Sequence, residues 1–224
     1  MTEFPVTLIA RGILFDMDGT LVDSTAVVEA TWAVFADDYG LDVRDVLAVS
    51  HGRQGVDTVR QFAPAGTDHD AVAQALIVFE MESTEMSLPI RGAAELLASL
   101  PAESVGLVTS APGDLARIRI RAAGLEVPAV TVFSNDVVNG KPAPDCYLLG
   151  AERLGLDPAD VIVFEDAPAG LQAGIAAGMR TIAVGGVGGD VADNLIRIND
   201  YSGVSVELGT DATGATVIAL TIQG

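Results

Sequence analysis

The chain has 224 residues, with 12 Lys and Arg against 31 Asp and Glu, so its formal net charge is −19. This balance argues against a nucleic-acid partner, because binding a phosphate backbone requires a basic face. No run reaches the roughly 18 apolar residues of a membrane span, and the first residues do not resemble a secretory signal, so we expect a soluble, cytoplasmic protein without a membrane partner. The length favours one core domain with a modest insertion.

The first predicted elements are a buried strand and a helix. The apolar run LIARGILF, residues 8–15, is typical of a strand buried on both faces of a parallel sheet, and it ends at Asp16. The next segment carries apolar side chains at helical spacing up to a terminating glycine. Ser24 or Thr25 is its expected N-cap.

Residues 23–88 are predicted to form a helical insertion. After the first helix they contain three more helical patterns and no convincing strand, at residues 42–50, 55–64 and 70–86. We therefore expect a small helical cap subdomain over residues 23–88, inserted into a core domain formed by residues 1–22 and 89–224.

After Pro89 the pattern changes to alternating helices and strands. Helices are predicted at residues 92–100, 112–124, 144–156 and 168–178, and strands at residues 104–110, 129–134, 160–166 and 179–186. Such alternation implies right-handed βαβ crossovers, so we predict an α/β fold with a Rossmann-like parallel sheet core. In the tail from about residue 190, two short strands are predicted around the turn TDATG.

Polar side chains follow three of the predicted strands where these end. They are four carboxylates and two hydroxyls: Asp16, Asp18, Thr109, Ser110, Glu165 and Asp166. Ligands of parallel sheets gather at the carboxyl ends of the strands, so we expect one shared crevice. Lys141 lies in the proline-braced loop NGKPAPD between the second and third of these strands, and we expect it to face the same crevice.

This set of residue types is typical of phosphoryl transfer. Four carboxylates that close cannot all stay ionised without a cation, and oxygen-only ligands suit Mg²⁺, which we predict as the cofactor. One aspartate could then attack phosphorus and form an aspartyl-phosphate, while Lys141 and Thr109 hold the phosphoryl oxygens. A carboxylate two residues further on could protonate the leaving alcohol and then activate water.

The motifs resemble those of the haloacid dehalogenase superfamily of phosphohydrolases, whose hallmark is DxDGT. Here DMDGT is followed in order by LVTS, GKPAPD and VFEDAPAG, and the resemblance extends from about residue 12 to residue 185. It implies the superfamily's core fold and an inserted cap that closes over the site. Dehalogenases of the superfamily lack the second aspartate, so the presence of Asp18 argues against dehalogenation.

The resemblance also implies a role for each core residue. Asp16 would be the nucleophile and Asp18 the acid and base, and Thr109 and Lys141 would bind phosphate. The implied magnesium site is formed by Asp16, Asp18 through its backbone carbonyl, Glu165 and Asp166. Glu165 has an alternative role, since a carboxylate there could stabilise the helix that follows it.

Within the predicted cap, the segment SHGRQGVDTVRQFAP resembles the "HG" stretch of sugar-phosphate and glycerol-3-phosphate phosphatases. Those relatives carry arginine where Gln54 stands, whereas this chain has Arg53 one place earlier. We take Ser110, His51 and Arg53 as candidate substrate-binding residues. His51 is equally compatible with a structural role at a helix end.

The predicted function is Mg²⁺-dependent hydrolysis of small phosphate monoesters of sugars, polyols or glycerol, by a monomer or a weak homodimer. β-Phosphoglucomutase, the nearest mechanistic alternative, shares the core motifs, but its cap histidine is replaced by Val28. A non-catalytic relative that binds a metabolite is the other alternative. Such relatives usually lose the nucleophile or the lysine, and Asp16 and Lys141 are both present.

Overall fold

The computed structural model describes residues 5–186 and 191–223. The predicted features that fall on residues 1–4, 187–190 and 224, at the start of the core and in the tail, lie outside the described residues. The strands are β1 (Val6–Ala10), β2 (Gly12–Phe15), β3 (Val22–Asp23), β4 (Leu88–Pro89), β5 (Val105–Val108), β6 (Val130–Val132), β7 (Val161–Glu165), β8 (Arg180–Val184), β9 (Ile196–Ile198), β10 (Val204–Thr210) and β11 (Thr216–Ile222). The α-helices are α1 (Thr25–Tyr39), α2 (Val43–Ser50), α3 (Gly55–Phe62), α4 (His69–Glu82), α5 (Ala93–Ser99), α6 (Gly113–Ala122), α7 (Asp145–Leu154) and α8 (Pro168–Ala176).

A six-stranded parallel sheet forms the centre of the fold, in the order β6-β5-β2-β7-β8-β9. β2 lies in the middle, where Phe15 is in register with Leu107 on one side and with Phe164 on the other. All residues of β2, β5 and β7 are buried, as expected of strands covered by helices on both faces. The predicted α/β fold is confirmed, and β9 adds an edge strand that was not predicted.

The first predicted strand is wrong in one respect, because residues 8–15 belong to two strands. β1 pairs antiparallel with β11 in a separate three-stranded sheet of order β1-β11-β10, and only β2 enters the central sheet. The break falls at Arg11, whose amide donates to the carbonyl of Asp160. Alternate residues of β1 are exposed, as in a sheet with one solvated face.

The two strands predicted in the tail are β10 and β11, and they form a hairpin. Asp211 stabilises its turn by accepting hydrogen bonds from the amides of Thr213 and Ala215. The inward side chains of β11, Ile218, Leu220 and Ile222, are fully buried in the main hydrophobic core. The tail is therefore part of the folded core.

The helical patterns of residues 25–86 are present as α1 to α4, followed by a 3-10 turn at Thr84–Met86. Their apolar side chains pack around a centre of their own: Trp32, Phe35, Val46, Val59 and Ala73. β3 and β4 pair antiparallel and bring the two ends of this segment together. These two-residue strands are too short to show a periodic pattern, so they were not predicted. The division into a core domain and a cap domain stays a prediction. No helix in the described ranges is long and apolar enough to cross a membrane.

Leu220→Ala tests whether the tail contributes to the stability of the core. The side chain is fully buried, so its truncation is expected to lower the free energy of unfolding by about 2–5 kcal/mol. Leu208→Ala in the adjacent strand is the matched control, since Leu208 is 54% exposed and its change is expected to stay within about 0.5 kcal/mol. Both are measured by urea denaturation, and equal effects would contradict the packing.

Candidate active site

The central sheet brings the predicted polar residues together at its carboxyl edge. Asp16 follows β2, and its amide donates to the carbonyl of Phe164 at 3.0 Å. Thr109 follows β5, and its amide donates to Val132 at 2.9 Å. The sheet's own hydrogen bonds thus position the start of each loop, and Glu165 is the last residue of β7.

A cavity of about 240 Å³ opens between this edge and helices α1 to α4. Its lining includes the following predicted site residues: Asp16, Asp18, Thr109, Ser110, Asp166, His51 and Arg53. Lys141 and Glu165 are 3% and 0% exposed and lie behind Asp16. The predicted crevice is therefore present, but Lys141 and Glu165, which were expected to face it, are not part of its lining.

Lys141 forms the centre of a buried ion cluster. Its Nζ donates to Asp16 Oδ1 at 2.6 Å, to Glu165 Oε1 at 2.7 Å and to the carbonyl of Val108 at 3.3 Å. An ammonium group has three donors, so each has an acceptor. Burial opposes protonation of Lys141, but the two carboxylates outweigh it and hold its pKa well above the usual value.

Two carboxyl groups of the site, those of Asp16 and Asp166, have raised pKa values. Burial raises the pKa of Asp16 to about 8, although Lys141 opposes this, and Glu165 and Asp18 raise it further. Burial, followed by the charges of Glu165 and Asp16, also raises the pKa of Asp166 well above its usual range. Lys141 alone therefore does not neutralise the cluster.

Three of these carboxyls could hold a metal ion. Asp16, Glu165 and Asp166 each offer one oxygen, and these oxygens lie within 4.8 Å of one another. The donor set is entirely oxygen, as Mg²⁺ prefers. Both oxygens of Glu165 also accept hydrogen bonds, Oε1 from Lys141 and from Tyr147 and Oε2 from the amide of Ala167 at the start of α8.

The Asp18 carboxylate lies outside this group of three metal-binding candidates. Its Oδ1 accepts one hydrogen bond from Ser24 Oγ and one from Arg119 Nη1, each at 2.6 Å. Of the two expected N-cap residues, Ser24 holds the N-cap position of α1, but its side chain makes no capping hydrogen bond. Its hydroxyl donates to the charged acceptor Asp18 and not to a group of α1.

Arg119 and Glu80 were missed as candidate site residues. Arg119 is 1% exposed, and its Nη2 donates to Glu80 Oε2 at 3.0 Å. The sequence carries one signal for it, because Arg119 lies four residues after Leu115 and three after Ala116 on the buried stripe of α6. A charged residue on an apolar stripe requires buried partners.

Two motif glycines allow the carboxylates to approach the backbone. Gly19 has φ +76°, and a Cβ there would lie 2.0 Å from Asp166 Oδ2. A Cβ on Gly170 would lie 1.6 Å from Glu165 Oε1. Neither position accepts a side chain without displacing an acidic residue of the site.

The helical segment contributes a second group of polar residues. His51 is exposed at the end of α2, and Arg53 lines the cavity while its Nη1 donates to Gln61 Oε1 at 3.1 Å. Gln54, at the position where the relatives carry arginine, contacts the segment after β6, and its Nε2 donates to the carbonyl of Ser134 at 3.2 Å. Ser110 Oγ donates to the carbonyl of Gly52 at 2.9 Å, so Ser110 joins the two parts of the fold.

Gly170→Ala tests the close packing of Glu165. The new methyl group overlaps a fully buried carboxylate, so the free energy of unfolding is expected to fall by about 1–3 kcal/mol. Gly186→Ala is the control, because no atom of the described residues lies within 4 Å of a Cβ built there. It should change the free energy of unfolding by no more than about 0.5 kcal/mol. Chemical denaturation measures both, and an unchanged Gly170→Ala variant would contradict the arrangement.

Comparison with known proteins agrees with this geometry. Residues 10–178 match the family model of haloacid dehalogenase-like hydrolases. The chain is 43% identical to hexitol phosphatase A of Escherichia coli K12, covering 78% of this chain and 82% of that protein. It is 35% identical to glycerol-1-phosphate phosphohydrolase 2 of Saccharomyces cerevisiae, covering 82% and 78% respectively.

Solved structures show the same fold at lower sequence identity. β-Phosphoglucomutase from Clostridium difficile superposes with a TM-score of 0.75 at 18% identity, covering 85% of this chain and 91% of that one. CbbY from Rhodobacter sphaeroides, in complex with phosphate, superposes with a TM-score of 0.74 at 22% identity, covering 86% and 95%. The motifs, the sheet that carries them and the match over residues 10–178 lead to one conclusion: the chain belongs to the haloacid dehalogenase-like hydrolases.

Proposed function

We propose that this protein is a phosphatase that hydrolyses small phosphate monoesters of sugars, polyols or glycerol through an aspartyl-phosphate intermediate. The observation that carries the proposal is the buried contact between Asp16 and Lys141, 2.6 Å long, at the end of β2. It places a candidate nucleophile beside a fixed cation at the wall of a small cavity. The names of two relatives, a hexitol phosphatase and a glycerol-1-phosphate phosphohydrolase, support the substrate class.

Asp16 is the proposed nucleophile. Lys141 holds its Oδ1, so the other carboxylate oxygen is available to attack phosphorus. Thr109 and Lys141 are the proposed ligands of the phosphoryl oxygens, with Lys141 exchanging its 3.3 Å hydrogen bond to the carbonyl of Val108 for one to phosphate. The Thr109 hydroxyl already accepts a hydrogen bond from the amide of Ala111 at 3.0 Å, which leaves its own proton for donation to phosphate.

Asp18 is the proposed acid and base. In the first step the bond from Asp16 to phosphorus forms, the ester P–O bond breaks, and the departing alcohol oxygen takes a proton from Asp18. In the second step water attacks phosphorus and gives a proton to Asp18, and the bond to Asp16 breaks to release inorganic phosphate. One group thus serves both steps in opposite directions.

Mg²⁺ is the proposed cofactor, held by Asp16 and Asp166 with Glu165, together with the backbone carbonyl of Asp18 that the family resemblance implies. The fit depends on the all-oxygen donor set within 4.8 Å and on the excess of carboxylates over Lys141. When bound, the ion would offset the charge of the carboxylates and of the substrate phosphate.

The helical segment is proposed to close over the cavity as a cap that selects the leaving group and excludes water. It lines the cavity with apolar side chains, among them Val28, Trp32 and Leu76. A cavity of about 240 Å³ suits a small metabolite. Val28 occupies the position of the mutase histidine and offers no proton donor, which favours a phosphatase over a phosphomutase.

A phosphate-release assay tests this function. We expect glycerol phosphates, hexitol phosphates and sugar phosphates to be hydrolysed with Mg²⁺, and turnover to be lost in EDTA and restored by added Mg²⁺. Asp16→Asn should abolish turnover while the fold is kept, because an amide is nearly isosteric but a far weaker nucleophile. Asp37→Asn, on the exposed side of α1, is the matched control and should retain full activity.

Two outcomes of this assay would contradict the proposal. If none of the esters releases phosphate, the phosphatase assignment is rejected. If Asp16→Asn keeps its activity in a sample free of deamidation, the nucleophile is a different residue.

Arg53→Ala tests whether the helical segment selects the leaving group. If Arg53 contacts the leaving group, its loss should lower kcat/KM for the best sugar or polyol phosphate by roughly 10- to 150-fold. Hydrolysis of p-nitrophenyl phosphate should change little, because its good leaving group needs little help. Arg60→Ala is the control, since Arg60 is exposed on α3 and pairs with Asp57 and Asp70.

Other results would assign Arg53 differently. Unchanged kinetics with both substrates would place its function at the surface, with Gln61 as its only described side-chain partner. An equal loss with both substrates would indicate damage to the core site.

A further inference from the structure

A buried arginine on α6 has no part in the function proposed so far. Three arginines alternate along this helix, and Arg117 and Arg121 are exposed whereas Arg119 is 1% exposed. Burying a guanidinium group is costly unless carboxylates compensate for it. The position therefore has a stronger requirement for arginine than its neighbours have.

Two carboxylates from different parts of the chain compensate for Arg119. Its Nη1 donates to Asp18 Oδ1 at 2.6 Å, and its Nη2 donates to Glu80 Oε2 at 3.0 Å. Asp18 belongs to the loop after β2, while Glu80 belongs to α4 in the helical segment. The planar fork of the guanidinium group thus connects the two sides of the cavity.

The pairing also determines how the Asp18 carboxylate is oriented. Within residues 5–186 and 191–223, its side-chain hydrogen bonds come from Ser24 and Arg119, and both end on Oδ1. Its Oδ2 is left for proton exchange with substrate or water. A displacement of Arg119 would release Asp18 from this orientation.

Glu80 holds the guanidinium group in place from the other side. Its side chain is 15% exposed, and burial raises its pKa while Arg119 opposes that shift. The helical segment therefore reaches Asp18 through one chain of contacts, from Glu80 to the buried Arg119 to Asp18.

We propose that Arg119 is a positioning residue that couples the seating of the helical segment, through Glu80, to the orientation of the Asp18 carboxylate. The inference rests on the proposed function, in which Asp18 is the acid and base. Arg119 acts through Asp18 and does not itself exchange protons with the substrate.

Steady-state kinetics of Arg119→Lys with p-nitrophenyl phosphate test this coupling. Lysine keeps the charge but lacks the fork that spans both carboxylates. Formation of the phospho-enzyme from this ester needs no acid, whereas its breakdown needs Asp18 as base. We expect kcat to fall by about 10- to 100-fold while kcat/KM changes by less than about threefold, with a burst of p-nitrophenolate.

A double-mutant comparison separates positioning from general damage. In the Asp18→Asn background, Arg119→Lys should change kcat by less than about twofold, since the group it positions is already lost. Glu80→Gln in the wild-type background should lower kcat in the same direction. Arg121→Lys, exposed on the same helix, should behave as wild type.

The outcomes distinguish this inference from the proposed function. If the wild-type protein hydrolyses no ester, the proposed function fails. If the wild-type protein is active and Arg119→Lys matches it, or if the loss is the same with and without Asp18, the coupling is overturned. If Arg119→Lys does not fold, Glu80→Gln and its combination with Asp18→Asn supply the same comparison, and a Glu80→Gln variant with wild-type kcat overturns the coupling.

Discussion

The site depends on the ion pairs that the buried ammonium group of Lys141 forms with Asp16 and Glu165. Asp16 and Glu165 are almost fully buried, and two ionised carboxylates so close together would repel each other without the cation between them. Lys141 also lies 5.0 Å from the centre of the Tyr147 ring, whose hydroxyl donates to Glu165. One side chain therefore organises the ends of β2 and β7 and the start of α7.

Two buried cations divide the acidic groups between them. Lys141 pairs with Asp16 and Glu165, while Arg119 pairs with Asp18 and Glu80. Asp166 is bound by the hydroxyl of Thr20 and by no cationic side chain among the described residues. The proposed nucleophile and the proposed acid and base thus have separate counter-ions, and the excess negative charge lies on the side where the proposed metal would bind.

The tail supports the site from behind. The ring of Tyr201 packs edge-on against Phe15 and Phe164, which stack on each other with their centres 5.1 Å apart. The Tyr201 hydroxyl donates to the carbonyl of Thr20 at 3.1 Å, and Thr20 in turn donates to Asp166. The C-terminal tail, to which the sequence assigned no role, therefore supports the loop that follows Asp16.

The sequence by itself determined the α/β alternation and the position of Asp16, Thr109 and Glu165 at strand ends. It also indicated that Lys141 lies close to these residues. Periodicity and motif order carry this information because they are local along the chain. The roles of these residues in catalysis stay predictions.

Only the tertiary structure decided which charges meet. The division of residues 8–15 between two sheets depends on β11, about two hundred residues away. Arg119 lies on the apolar stripe of α6, but the carboxylates of Asp18 and Glu80 that compensate for its burial come from distant parts of the chain. The Ser24 hydroxyl likewise donates to Asp18 and does not cap α1. Pairing of buried charges is a long-range property, since desolvation and Coulomb energies depend on distance in space and not on spacing in the chain.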